Sequence, residues 1–365
     1  MKTHGLLICA LTIAFSLAAE NALTAASKEK VILDTDMVDS FDDGVAMVIL
    51  ANAPDIELLG VTTVSGNSWV SEGVASALRQ LDIEKQTSVP VASGLNLPLR
   101  SNRHELFSLE RQVFGQGDDT WVGSFGYPDP GSWRKVYLER YGEEPRLAPI
   151  DQHAVNFIID TVRAHPGEVT IAAIGPCGNL ALAVRMAPDI VPLIKRVVYM
   201  GGSFFQTGNI TPAAEFNFYF DPEAAKITVR SPFKEQTLVG LKVSEKVIFT
   251  RDHYDGILKT LGKSGQADLL RASFLGKSFE ADPNFTFFVW DVISAAIIID
   301  PTLIVKEEHS YIDVNDQYGL SYGQSLAFRE KNPPMTQKAN IVLDIDENRF
   351  WELLTDRKYW ASARD

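Results

Sequence analysis

The stretch Val31-Ile32-Leu33-Asp34-Thr35-Asp36-Met37-Val38-Asp39-Ser40-Phe41-Asp42-Asp43-Gly44-Val45-Ala46-Met47 decides how this chain reads. A short apolar run rich in β-branched residues ends at Asp34, five acidic residues fall within the ten positions from Asp34 to Asp43, and apolar periodicity then resumes. The pattern predicts a strand, an acidic loop and a helix. Carboxylates so crowded at the end of a buried strand repel one another unless something cationic sits among them. An oxygen-only set suits a hard divalent ion, Ca²⁺ or Mg²⁺. A helix beginning near Asp42-Asp43 also points its amide dipole at that place.

Two other readings of the stretch are open. The acids can cap a helix and face water. Alternatively, Asp34-x-Asp36-x-Val38 after an apolar strand resembles the aspartyl nucleophile motif of haloacid-dehalogenase-type phosphatases. That chemistry also wants a downstream Lys in a matching site, for which the chain has no convincing candidate.

Working outward, the 365 residues are 45% hydrophobic and 22% charged, the balance of an ordinary globular enzyme with a large core. A formal charge of −13 leaves no basic footprint for nucleic acid, so no such partner is expected, whereas a small sugar or nucleoside is compatible with it. Met1-Lys2-Thr3-His4 is a short basic start, Gly5 to Ala19 is apolar, and small residues follow to Ala26. That length suits a secretory signal peptide and is short for a membrane span. Residues 1–26 are read as the signal, with cleavage after Ala18, Ala19 or Ala26. Residues 27–365 are then a mature chain, periplasmic or secreted and not bound to membrane. Cys9 lacks the small preceding residue of a lipoprotein signal. The mature chain keeps only Cys177, so no internal disulfide is expected.

After the acidic loop, Val45 to Ala53 reads as a helix stopped by Pro54, and Ile56 to Val64 as a strand with Ser65-Gly66-Asn67 at its end. Ser71 to Leu81 reads as a helix and Val89 to Gly94 as a short strand and turn. His153 to Ala164 is an amphipathic helix. Val169 to Ile174 is a strand running into Gly175-Pro176-Cys177-Gly178-Asn179 and a helix, and Val197 to Met200 is a strand ended by Gly201-Gly202. Asp291 precedes an apolar helix to Ile299; strands around Leu320 to Phe328 and from Ile341 lead to a closing helix. The alternation predicts an α/β fold, one Rossmann-like, mostly parallel (mixed) central sheet with helices on both faces, in a single domain. Ligands of such sheets bind beyond the carboxyl ends of the strands, where Asp36 and Asn67 sit. Residues 100 to 150 break the rhythm with Gly, Asp, Pro and aromatics and read as an ordered flap.

The landmarks Asp34-Thr35-Asp36 with Asp42-Asp43, Gly66-Asn67, Ile174-Gly175-Pro176 with Asn179-Leu180-Ala181, Met200-Gly201-Gly202, Asn209 with Glu215-Phe216-Asn217, and Trp290-Asp291 occur in that order. Together they resemble the nucleoside hydrolase family, the calcium-dependent N-ribohydrolases, over nearly the whole mature chain. The resemblance implies Ca²⁺ held by the Asp36, Asp43 and Asp291 side chains and the Ile174 carbonyl. It implies Asp36 as the general base that takes a proton from water, and Asp42, Asn67, Asn209, Glu215 and Asn217 as the groups gripping the ribose hydroxyls. The substrate is then a small-molecule nucleoside, cleaved to base and ribose, and the assembly a homo-oligomer, a dimer or tetramer. Asp291 also reads as a helix N-cap, and Glu215 and Asn217 as polar supports of a loop.

Departures from the family pattern sharpen the reading. Val38-Asp39-Ser40 replaces a usual Gly-Asn-Asp, and Lys242 replaces a common Asp in Leu241-Lys242-Val243-Ser244. Trp290 stands where broad-specificity members carry a His that protonates the leaving base. Trp cannot donate that proton but stacks on rings, and purine-preferring members are similar to this chain there. The resemblance therefore implies a purine-leaning ribohydrolase in which Trp290, with Trp69 or a flap aromatic, sandwiches the base. Trp290 packed beneath the site, and His104 of the flap as the acid, are the alternatives. A binding protein that captures nucleosides or sugars without turnover, and a hydrolase of another riboside using the same pocket, also fit the sequence.

Overall fold

The apolar run that opens the acidic stretch becomes β1 (Glu29–Thr35), at the heart of a nine-stranded sheet. Val31 and Leu33 face one core and Ile32 the other, so both faces of the strand are dry. A strand in that position needs a continuous apolar run rather than an alternating one. The structure, a computed structural model, describes residues 27–38, 40, 42–113 and 121–363. The expected signal, residues 1–26, and Asp39 and Phe41 of the acidic loop lie outside the described residues.

After β1 come α1 (Asp43–Asn52), β2 (Ile56–Thr63), α2 (Val70–Ile83), β3 (Val91–Ser93), α3 (Arg103–Val113), α4 (Trp133–Tyr141) and α5 (Ala154–Ala164). Then follow β4 (Val169–Ala173), α6 (Gly178–Met186), β5 (Arg196–Met200), α7 (Phe216–Phe220), α8 (Pro222–Val229), β6 (Gln236–Val239) and α9 (Leu241–Ser244). The last third adds β7 (Ile248–Phe249), α10 (Arg251–Leu261), α11 (Gly265–Ala272), α12 (Phe274–Ala281), β8 (Phe287–Phe288) and α13 (Asp291–Ile299). It closes with β9 (Ile304–Val314), β10 (Ser325–Phe328), β11 (Gln337–Ile345) and α14 (Glu347–Thr355). Among the described residues no helix is long and apolar enough to cross a membrane.

The strand order is β10-β9-β11-β6-β5-β4-β1-β2-β3. From β3 through to β11 all neighbours are parallel, while β9 runs antiparallel to β11 and β10. The expected mixed, mostly parallel α/β sheet is therefore present. From β1 the chain builds outward through β2 and β3, then returns to the other side of β1 and builds through β4, β5 and β6. That reversal opens a crevice between the carboxyl ends of β1 and β4. Two helices border it. All of α1 except Ala51 is buried, as is all of α13 except Ile299, and they pack on each other. A helix with no polar face is stable only in the interior.

Boundaries in the first half of the chain match the sequence reading to within a residue or two. Later ones differ. The strand expected around Leu320 to Phe328 covers only Ser325–Phe328, because the preceding segment is a turn in which the Asn315 amide donates to the Ser321 carbonyl. β6 and β9 were not among the expected strands, and the first half of β9 is charged and largely open to solvent, which hides its period.

In the segment between 100 and 150, read from the sequence as a flap, Arg103 anchors the described residues. This buried side chain donates to Glu110 at 2.9 Å and to the carbonyls of Tyr219 and Phe220 at 2.7 and 3.3 Å. Its guanidinium also lies over the rings of Phe107, Tyr219 and Tyr322. Arg103→Met strands the buried Glu110 charge, and loss of one partner of such a pair costs about 3 to 5 kcal/mol. The urea midpoint should fall accordingly; an unchanged midpoint would show that the fold does not depend on this anchor.

Candidate active site

Where β1 ends, the buried Asp34 accepts from the Thr62 hydroxyl at 2.6 Å and the Asn179 amide at 2.7 Å, which ties β1 to β2 and α6. Asp36 follows, clamped between two glycine turns. A Cβ on Gly66 would lie 2.2 Å from its Oδ2, and one on Gly175 2.9 Å from its Oδ1, so only glycine allows so close an approach. Asp36 Oδ2 accepts from the Asn67 amide N–H at 2.6 Å; Oδ1 is buried with no hydrogen-bond partner.

Asp42 fills the capping role that the sequence also offered to Asp291. Asp42, expected to grip ribose, holds a left-handed backbone with φ of 50° and accepts from the N–H groups of Trp290, Asp291 and Val292 at 3.1, 2.9 and 3.2 Å. It therefore caps α13 from across the molecule. Asp291 is the first residue of that helix, not its cap, and its Oδ1 is buried without a partner. Asp43 opens α1 and accepts from the Thr35 hydroxyl.

The remaining expected residues fall into two groups. Asn217 lies in the crevice: its amide donates to the Ile174 carbonyl at 2.9 Å and the Met200 carbonyl at 3.2 Å, leaving Oδ1 buried and unpartnered. Asn67 borders it and accepts from the Trp121 indole at 2.9 Å. Glu215 is buried, but both its oxygens serve backbone: Oε1 accepts from Asn217, and Oε2 from Gly202 and Phe218. Asn209 is exposed and accepts from the Phe216 N–H at 3.0 Å. These two brace α7, the loop-supporting role left open for Glu215 by the sequence.

Trp290 has its ring edge-on to Phe287 and Phe288, at 5.3 and 5.9 Å between centroids, with its indole nitrogen buried and unpartnered. Trp69 is buried and its indole donates to the Tyr127 carbonyl, fastening the flap. The exposed His104 meets the edge of Phe125 at 5.1 Å. Sequence reasoning missed Thr35, quoted within the motif but given no role. It also missed the flap's grip on the Gly66-Asn67 turn, where Ser124 N–H donates to the Gly66 carbonyl at 2.8 Å; a lone Ser in a loop carries no signal for that.

The electrostatics are those of acids forced together. Burial pushes Asp36 up to about 7, the charges of Glu215 and Asp34 add to this, and the Asn67 amide opposes it. Burial likewise raises Asp42 to about 6 and Glu215 to about 7 against the pull of their backbone donors. Asp43 and Asp291 are pushed well above the carboxylate range by burial and then by neighbouring carboxylates, Asp36 foremost for Asp43 and Asp42 for Asp291. Among the described residues, no three Asp, Glu, His or Cys side chains are grouped as a finished metal cage. Thr35 engages Asp43, and α13 engages Asp42. The donor chemistry nevertheless fits a hard cation: every available group is an oxygen, and Asp36 and Asp291 each offer one buried and unpartnered.

A family model described as inosine-uridine preferring nucleoside hydrolase matches residues 31–352. The chain belongs to the nucleoside hydrolase family. It is similar to the pyrimidine-specific ribonucleoside hydrolase RihB of Escherichia coli O9:H4 strain HS, 31% identical over 339 residues that cover 90% of this chain and 96% of that one. Among solved structures it resembles a purine-preferring ribonucleoside hydrolase from Gardnerella vaginalis, with TM-score 0.74, 25% identity and coverage of 92% and 100%. It also resembles a plant nucleoside hydrolase, PpNRh1, with TM-score 0.72, 25% identity and coverage of 91% and 99%. This nucleoside hydrolase is thus an enzyme, an N-ribohydrolase.

The raised carboxyls fix a pH dependence. Asp36, Asp42 and Glu215 bind protons more tightly in the folded hydrolase than in the unfolded chain, so folding takes up protons between their ordinary values and about 6 to 7. Their contribution is greatest at the acid end of that window and is lost as pH rises through it. Thermal melts in chelator should therefore show a midpoint that rises from pH 8 towards pH 5.5; a midpoint that falls over this range would contradict the burial of these groups as acids.

Proposed function

We propose that this nucleoside hydrolase cleaves the N-glycosidic bond of ribonucleosides, purine ribosides foremost, with Ca²⁺ held by Asp36, Asp43, Asp291 and the Ile174 carbonyl. The observation that carries the reading is the set of buried oxygens without partners, Oδ1 of Asp36, Asp291 and Asn217, around the carboxyl ends of β1 and β4. Buried polar atoms are otherwise almost always satisfied, and these await a cation, a water or a hydroxyl. A hard divalent cation supplies the positive charge that lets such carboxylates stay ionised at neutral pH and acidifies water bound to it.

The chain's own groups supply the rest. Asp36 takes the proton of the attacking water through Oδ1 while the Asn67 amide fixes Oδ2. Asn217 and Asn67 hold ribose hydroxyls, which places the anomeric carbon beside that water. The acids below the sugar stabilise the positive charge that an oxocarbenium-like transition state develops. Trp290 adds an aromatic face and an unpartnered indole N–H, which suit a purine ring bearing acceptor nitrogens. Similarity to a pyrimidine-specific relative supports a second reading, in which the same wall receives a pyrimidine. The proposal includes export directed by residues 1–26, testable by the mass of the protein recovered outside the cytoplasm.

The deciding assay is free ribose from inosine and from uridine, with Ca²⁺ and with chelator. Chelator-sensitive release, faster from inosine, is the expected result. Faster release from uridine would establish the second reading, and no release from either with Ca²⁺ bound would point to a binding protein or to a hydrolase of another riboside. Asp36→Asn should lower kcat by about 10² to 10⁴-fold while nucleoside still binds in calorimetry. Trp290→Ala should cut inosine turnover far more than it changes Ca²⁺ binding; unchanged turnover would remove Trp290 from base recognition.

A further inference from the structure

We infer that Arg140, on the flap helix α4, is a positioning residue for the catalytic loop: it holds the carbonyl of Val38 and with it the backbone that carries Asp36. Arg140 Nη1 donates to the Val38 carbonyl at 2.8 Å and to Ser76 Oγ at 3.0 Å, while the Ser76 hydroxyl donates to the same carbonyl at 2.9 Å. The preceding carbonyl, that of Met37, accepts from the Ser68 hydroxyl at 2.6 Å. Both carbonyls after Asp36 are thus held from outside the loop.

This grip is needed because the loop has left the sheet. The Thr35 carbonyl still accepts from Val64 N–H, but residues 36–38 belong to no strand, and partly buried carbonyls without ladder partners must find donors elsewhere. A guanidinium is a stronger donor than a neutral group. Arg140 is itself held in place: its Nη2 donates to Glu72 Oε1 at 2.9 Å. The other Glu72 oxygen accepts from the Tyr127 hydroxyl at 2.6 Å and the Trp69 N–H at 3.2 Å. A single network therefore runs from the flap, through α2, to the loop bearing the base.

A second arginine provides the comparison. Arg79, on α2, also joins α2 to the flap, with Glu143, Tyr137 and Tyr141 as its partners, all on α4 or just beyond it. Removal of either side chain loosens the same pair of helices, but only Arg140 bears on Val38.

The test compares full-length Arg140→Met, Arg140→Lys and Arg79→Met with the wild type, by hydrogen–deuterium exchange and by kcat and KM on whichever nucleoside the wild type cleaves. The inference rests on Asp36 as the proton acceptor, and exchange reads the loop independently of activity. Arg140→Met should speed exchange in peptides covering 31–38 and lower kcat about tenfold or more, with KM changed less than about threefold, because a displaced base loses rate while the Asn217 contacts persist. Arg140→Lys keeps one donor for the carbonyl and should recover part of kcat. Arg79→Met should leave the exchange of 31–38 and kcat close to wild type. Unchanged exchange or kcat in Arg140→Met, or an equal kcat loss in Arg79→Met, overturns the inference. A wild type that releases no ribose would instead overturn the proposed function, and the exchange comparison would still decide whether Arg140 holds the loop.

Discussion

The repulsion among Asp36, Asp42, Asp43 and Asp291, buried together beyond the end of β1, must be offset by groups of opposite electrostatic character. Among the described residues the fold supplies several, from backbone amides and a hydroxyl. The Asn67 amide faces Asp36, three amides of the α13 terminus face Asp42, and the Thr35 hydroxyl faces Asp43. Backbone dipoles of this kind are fixed by the architecture and do not reorganise when charge moves. What they leave over is one oxygen on Asp36 and one on Asp291. The crevice at the sheet's reversal point is the place where those oxygens can meet something brought from outside.

The flap is a roof with two tethers. Near its start, Arg103 grips the carbonyls that end α7, the helix carrying Asn217; near its far end, Arg140 grips the loop after Asp36. The two walls of the crevice, built from distant parts of the chain, are thus joined over the top as well as through the sheet beneath. Between the tethers, Ser124 and Trp121 rest on the Gly66-Asn67 turn. A segment rich in aromatics suits that work, since large rings bury area while their polar tips reach backbone and side-chain partners.

Much of this was legible in the chain itself. β1, β2, β4 and β5 are apolar runs ended by acid or glycine, and fully buried parallel strands have that appearance. Asp36, Asp43, Asn67, Ile174, Asn217 and Asp291 were read from the sequence as one set, and within it the Asn67 backbone amide meets Asp36 and the Asn217 side-chain amide meets the Ile174 carbonyl. The division of labour within the set was not legible. That Asp42 caps α13 is a tertiary fact with no local signature, and Glu215 reads identically whether its oxygens meet ribose or the amides of Gly202, Asn217 and Phe218. Arg140 was invisible for a similar reason, because an arginine on a short polar helix has the sequence context of a solvated one.

The bond from Asp42 to the start of α13 spans 248 residues, which bears on how the protein comes into being. A chain made from its N-terminus presents the acidic loop early, yet the amides that neutralise Asp42 are synthesised only after most of the sheet has emerged. Contacts that close so long a loop form late, after local helices and adjacent strand pairs have settled. The acidic loop therefore meets its compensating amides only when parts of the chain far apart in sequence have come together. The order in which the strand-end acids settle is thereby tied to the last third of the chain.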